Sequence, residues 1–166
     1  INTQGGSLRV FCSHPNNSKV KTKNYLNLRK KENLLKLNSL DYYSQISKKI
    51  DQKIKSIQKF LGEIQKSDKK LLIVGSPARG VTIINVCDID LSNFAVVVDS
   101  TPQKQGKVMP GTNIKISSWE KINFSKFDVA LILSWNYSDY LSKKLIDKSF
   151  LGEIFVPLPT LKKISG

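Results

Sequence analysis

Four short stretches of this sequence hold residue types that could bind phosphate, a ribose hydroxyl or a planar ring. The first is Gly75-Ser76-Pro77-Ala78-Arg79-Gly80. Its glycines permit a tight turn, and a helix beginning there would offer free N–H groups to an anion, with Arg79 adding a bidentate contact. Pro77 stands where a dinucleotide fingerprint has a glycine, so the match to NAD or FAD binding is poor. The second is Asp99, 24 residues after Gly75. An acidic side chain at that distance can take a ribose hydroxyl, and it can equally cap the next turn. The third is the long Pro/Gly-rich stretch 101–112. Here Lys104 and Lys107 could meet phosphate, Gln105 and Thr112 add polar groups, and Gly106 and Gly111 permit close backbone approach. The fourth is Ser134-Trp135-Asn136-Tyr137, where Trp135 could stack on a base or sugar and Asn136 could cap a helix.

These residues do not make a catalytic set. The single histidine, His14, stands alone before a polar stretch, and there is no paired carboxylate and no P-loop. Two cysteines, Cys12 and Cys87, are too few for a disulfide scaffold or a paired-cysteine zinc site. No catalytic residue and no metal ligand is therefore assigned.

The elements that must position the four stretches follow from hydrophobic period. Leu71–Val74, Phe94–Val98, Val129–Leu133 and Glu153–Val156 are short continuous apolar runs, with Ile114–Ile116 a shorter one. Such runs suit parallel strands covered on both faces. Helical patterns at 78–87, 118–123 and 136–148 lie between them. This alternation predicts an α/β fold, a Rossmann-like parallel sheet of about five strands with helices on both faces. A long amphipathic helix over 40–67 precedes it, its stripe formed by Leu40, Tyr43, Ile46, Ile50, Ile54, Ile57, Leu61 and Ile64. Ligands in such sheets gather beyond the carboxyl ends of the strands, which is where the four stretches fall.

The remaining sequence sets the organisation. Residues 1–14 read as a terminal strand, with the strand itself over 5–13; residues 15–39 read as a linker, and 40–166 as the Rossmann-like domain with its leading helix. The sequence opens on Ile1, without a targeting pattern, as a longer or processed chain would. At 166 residues with a net charge of +14, it has the composition of a globular protein. The excess is uneven, +11 over residues 1–70 against +3 over 71–166. The lysines lack the interleaved aromatics of a nucleic-acid reader and read as a solvated helix face. No apolar run is long enough to cross a membrane.

Taken in order, Gly75-Ser-Pro-Ala-Arg-Gly80, Val98-Asp99, Lys104-Gln105-Gly106 with Pro110-Gly111-Thr112, and Leu131-Ile-Leu-Ser-Trp135-Asn136 resemble one family. They look like the C-terminal domain of S-adenosylmethionine (SAM)-dependent sugar C-methyltransferases. The resemblance covers nearly the whole chain and is strongest over 71–140; Arg79 stands where a lysine is expected.

The resemblance implies a three-part enzyme acting on nucleotide-linked deoxysugars, with a zinc module and a SAM-binding domain upstream of this domain, all cytoplasmic. It implies that this chain alone holds neither SAM nor zinc and is inactive in isolation. Its role would be to orient a nucleotide-linked sugar against the SAM domain. Gly75, Ser76, Arg79, Gly80, Asp99, Lys104, Gln105, Gly106, Thr112, Trp135 and Asn136 would contribute to substrate binding. The expected partners are that sugar nucleotide and the SAM domain, with neither nucleic acid nor membrane. An unpaired strand 5–13 also invites dimerisation. The alternatives are a stand-alone Rossmann-type nucleotide or dinucleotide module and, on charge alone, a nucleic-acid binder whose affinity would fall steeply with salt.

Overall fold

The computed structural model describes residues 1, 6–17 and 21–165. The chain divides into two compact units, Ile1–Asp51 and Gln52–Gly166. The division falls inside a helix.

The first unit holds helix α1 (Lys23–Leu34) and the opening turns of α2 (Leu40–Gln65). Thr22 caps α1, its hydroxyl accepting from the Tyr25 amide at 3.2 Å. Ser39 does the same for α2, accepting from the Tyr42 amide at 3.3 Å. No residue of α1 is buried. Gly5, which opens the strand read at 5–13, lies outside the described residues. Residues 6–14 carry no regular structure. A strand is held by ladder bonds to a neighbour, and this segment has none among the described residues.

The second unit contains a six-stranded sheet: β1 (Leu71–Val74), β2 (Ala95–Val98), β3 (Ile116–Ser117), β4 (Val129–Ile132), β5 (Glu153–Val156) and β6 (Lys162–Ser165). Its order is β3-β2-β1-β4-β5-β6. The first five strands are parallel, and β6 pairs antiparallel with β5. This is the Rossmann-like α/β sheet that the apolar runs predict, with the order reversing between β1 and β4. Helix α3 (Ala78–Cys87) links β1 to β2, and α4 (Ser138–Asp147) links β4 to β5.

Side-chain alternation along β1 assigns the two faces. Leu71 and Ile73 join a core with Ile57, Leu61 and Ile64 of α2 and Ile84 and Cys87 of α3. Leu72 and Val74 join the opposite core with Leu145 of α4, Trp119 and Phe124. All four residues of β1 are 0% exposed, as a central parallel strand requires. The region read as a helix at 118–123 is a single 3-10 turn, Trp119–Lys121.

The stripe of α2 is only half covered. Ile57, Leu61 and Ile64 are buried, whereas Leu40 is 86% exposed and Tyr43 and Ile50 are also exposed. Helical spacing places these residues on one line, but a sheet of four-residue strands covers only part of a 26-residue helix. Leu61→Ala is therefore expected to cost about 2–5 kcal/mol in urea denaturation, against less than about 0.5 kcal/mol for Leu40→Ala.

Candidate functional site

The crevice at a topological switch point opens between the loops that follow β1 and β4. Here those loops touch. Gly75 has φ +85°, and a Cβ placed on it would lie 2.3 Å from Ser134 Oγ. Only glycine accepts both the backbone angle and the approach. Gly80, in the first turn of α3, is pressed against β4's end in the same way: a Cβ there would lie 2.7 Å from Leu133 Cβ. Gly80 thus serves helix-to-strand packing.

Asp99, directly after β2, joins a third loop to these. It is 7% exposed. Its Oδ2 accepts from the Ser76 amide at 2.7 Å and its Oδ1 from the Thr101 amide at 2.8 Å. The Lys104 ammonium lies 3.4 Å from Oδ2 and donates to the Ser76 carbonyl at 2.8 Å. Gln105 closes the arrangement, its Nε2 donating to the Asp99 carbonyl at 3.0 Å. Burial alone would raise the Asp99 carboxyl pKa. Hydrogen bonds from Thr101 and Ser76, together with the Lys104 charge, outweigh that effect and hold it below the usual carboxylate range.

Trp135 follows Ser134 in a 3-10 turn, Trp135–Tyr137, that leads into α4. The Arg79 guanidinium sits 5.2 Å from the centre of its ring. Asn136 lies exposed in the same turn. It is not the helix cap suggested by the sequence: Tyr137 takes that position and makes no side-chain cap bond.

The structure therefore gathers Gly75, Ser76, Arg79, Asp99, Lys104, Gln105 and Trp135 into one connected cluster, with Asn136 beside it. Gly106 leads away from it, its amide donating to Ile116 O at 2.8 Å. Thr112 lies apart. The stretch read as a loop is an antiparallel excursion along β3, with a bridge between Val108 and Lys115. Its tip packs on the end of α3, where Asn85 Nδ2 donates to Pro110 O at 2.9 Å. Because α3 runs back along the sheet, that end marks the amino side of the strands. Thr112 satisfies its own turn, its hydroxyl bonding Met109 O at 2.9 Å. Ser134, which the sequence reading placed in the fourth stretch without assigning it a binding role, lies against Gly75 where the two loops meet. Its only signal was its place immediately after a buried strand run.

Among the described residues no three His, Cys, Asp or Glu side chains cluster as ligands. Cys12 is exposed and Cys87 buried, and burial pushes the Cys87 thiol up to about 11. No described helix is long and apolar enough to cross a membrane.

The fold defines a Rossmann-like α/β domain with a connected polar cluster at its switch point. The family described as C-methyltransferase C-terminal domain matches residues 2–159, and the chain belongs to that family. A curated relative, the C-methyltransferase NovU of Streptomyces niveus, is 33% identical over 95 residues. That alignment covers 55% of this chain and 22% of NovU, so the matched region is about a fifth of the relative's length.

Because the folded state holds Asp99 below its unfolded pKa, its stabilisation is complete above the unfolded carboxylate range, about pH 4. It is lost as pH falls through the folded value. Asp99→Asn should lower stability at neutral pH and flatten the acid limb of stability against pH, as read by denaturation midpoints between about pH 3 and 7.

Proposed function

We propose that this chain is the substrate-side domain of a SAM-dependent C-methyltransferase and that its crevice holds and orients a nucleotide-linked sugar. The observation that carries the reading is the family match over 2–159 together with one connected, cationic cluster at the switch point. SAM supplies an electrophilic methyl group. Its site, and that of zinc, lie in other parts of the longer polypeptide, which work in the cytoplasm with this domain as a fixed partner. Carbon methylation needs a proton removed beside a carbonyl and the resulting carbanion aimed at the methyl donor. This domain contributes the aim: it fixes the far end of the substrate, so that small displacements at the reacting carbon are suppressed. On its own it is inactive.

A stand-alone dinucleotide module fits less well. Pro77 breaks the glycine pattern of a dinucleotide turn, and Asp99 already accepts from two amides with the Lys104 ammonium 3.4 Å from its Oδ2. Calorimetric titration of the chain with hexoses linked to uridine or thymidine diphosphate, with SAM and NAD in parallel, tests the choice. Binding of a sugar nucleotide without SAM or NAD is the expected result; binding of NAD alone would reverse it.

Self-association through residues 5–13 belongs to the same reading. Leu8, Val10 and Phe11 are all strongly exposed, the last at 82%. Light scattering is expected to show a concentration-dependent dimer that Phe11→Asp weakens. A monomer at every concentration would remove the idea.

A further inference from the structure

Arg79 and Ser76 each have binding capacity that the fold leaves unused. Arg79 is exposed and pairs with no carboxylate among the described residues; its only contact of note is the Trp135 face. A guanidinium lying against a ring keeps its edge donors free in one plane, the geometry that meets two oxygens of a phosphate. Ser76 is only 5% exposed. Its amide and carbonyl are taken by Asp99 and Lys104, but its hydroxyl bonds no described residue. No fully buried side-chain oxygen among the described residues lacks a partner, so this hydroxyl keeps some contact with solvent.

Two further groups converge there. Ser76 lies one residue before the Pro77 cap of α3, and that cap makes no side-chain bond to the first amides of the helix. Those amides carry the positive end of the helix dipole. Lys104 uses two of its three donors, on Ser76 O and Asp99 Oδ2, and its side chain remains 38% exposed. The Lys104 ammonium offsets the Asp99 charge, which leaves the cluster with the net positive charge of Arg79.

We propose that Ser76, the first amides of α3, Arg79 and Lys104 form a diphosphate subsite. One phosphoryl group would sit on the helix start and the Ser76 hydroxyl, and the other between Arg79 and Lys104. Trp135, 5.2 Å from the guanidinium, reports its engagement. The inference rests on the substrate reading above and deepens it by assigning the diphosphate, rather than the sugar or base, to this chain.

Inorganic pyrophosphate, sulfate and a uridine diphosphate hexose, each titrated into the full chain, test it by calorimetry and Trp fluorescence. Pyrophosphate is expected to bind more tightly than sulfate, weaken with added salt and change the Trp135 signal. Arg79→Gln and Ser76→Ala should each weaken pyrophosphate about tenfold or more, whereas Lys59→Gln on α2 should not. Matched unfolding midpoints confirm that the variants fold. Pyrophosphate binding no tighter than sulfate, or equally tight in both crevice variants, overturns the subsite. If the hexose nucleotide binds but pyrophosphate does not compete with it, the substrate reading stands and the subsite falls. If pyrophosphate binds but no sugar nucleotide does, the subsite stands and the substrate reading falls.

Discussion

A carboxylate that is 7% exposed must be surrounded by donors, and around Asp99 those donors come from two different loops. The Ser76 amide reaches it from the β1 loop, and the Thr101 amide and Lys104 reach it from the loop after β2. Removing any of these would leave a charge poorly solvated, so the loops cannot drift apart independently. The rest of the crevice inherits its shape from this requirement. Lys104 is held at the mouth because it is needed by Asp99, and Ser76 is fixed at both its amide and its carbonyl. A residue type that elsewhere receives a ribose has become an internal fastener.

The second constraint is steric. The β1 and β4 chains approach so closely at the switch point that side chains are excluded at Gly75 and Gly80. Two of the three glycine roles of a dinucleotide turn are therefore kept, the tight turn and the helix packing. The middle role, approach of a ligand's pyrophosphate to bare backbone, is given up at Pro77. The ring of Pro77 covers the backbone at that position, while the first and last glycines keep their places.

Much of this was legible in residue order. Buried parallel strands are unbroken apolar runs, so β1 and β5 begin and end where the runs do, and α3 spans the residues its pattern gives. Strand β6 was missed because Lys162-Lys163-Ile164 at a sheet edge has neither an apolar run nor a clear alternation. Residues 107–112 read as part of a loop because the bridge that pairs them, Val108 to Lys115, depends on a neighbouring strand rather than on local preference. That error also carried Thr112 to the wrong end of the sheet. The exposed half of the α2 stripe shows a related limit: periodicity tells which residues share a face, not how far the covering layer extends. The cluster around Asp99 was read as four separate stretches. The bonds joining them, from Asp99 to Ser76 above all, are tertiary and left no mark in spacing.

The reversed direction of β6 has a practical consequence. Ser165 pairs beside Ile154 and Lys162 beside Val156, so the strand runs back toward the amino side of the sheet. A peptide fused after it would emerge on the side opposite the crevice mouth. Affinity handles, fluorophores or surface tethers attached there would leave the ligand entrance facing solution. Immobilised binding assays on this domain are best anchored at that end.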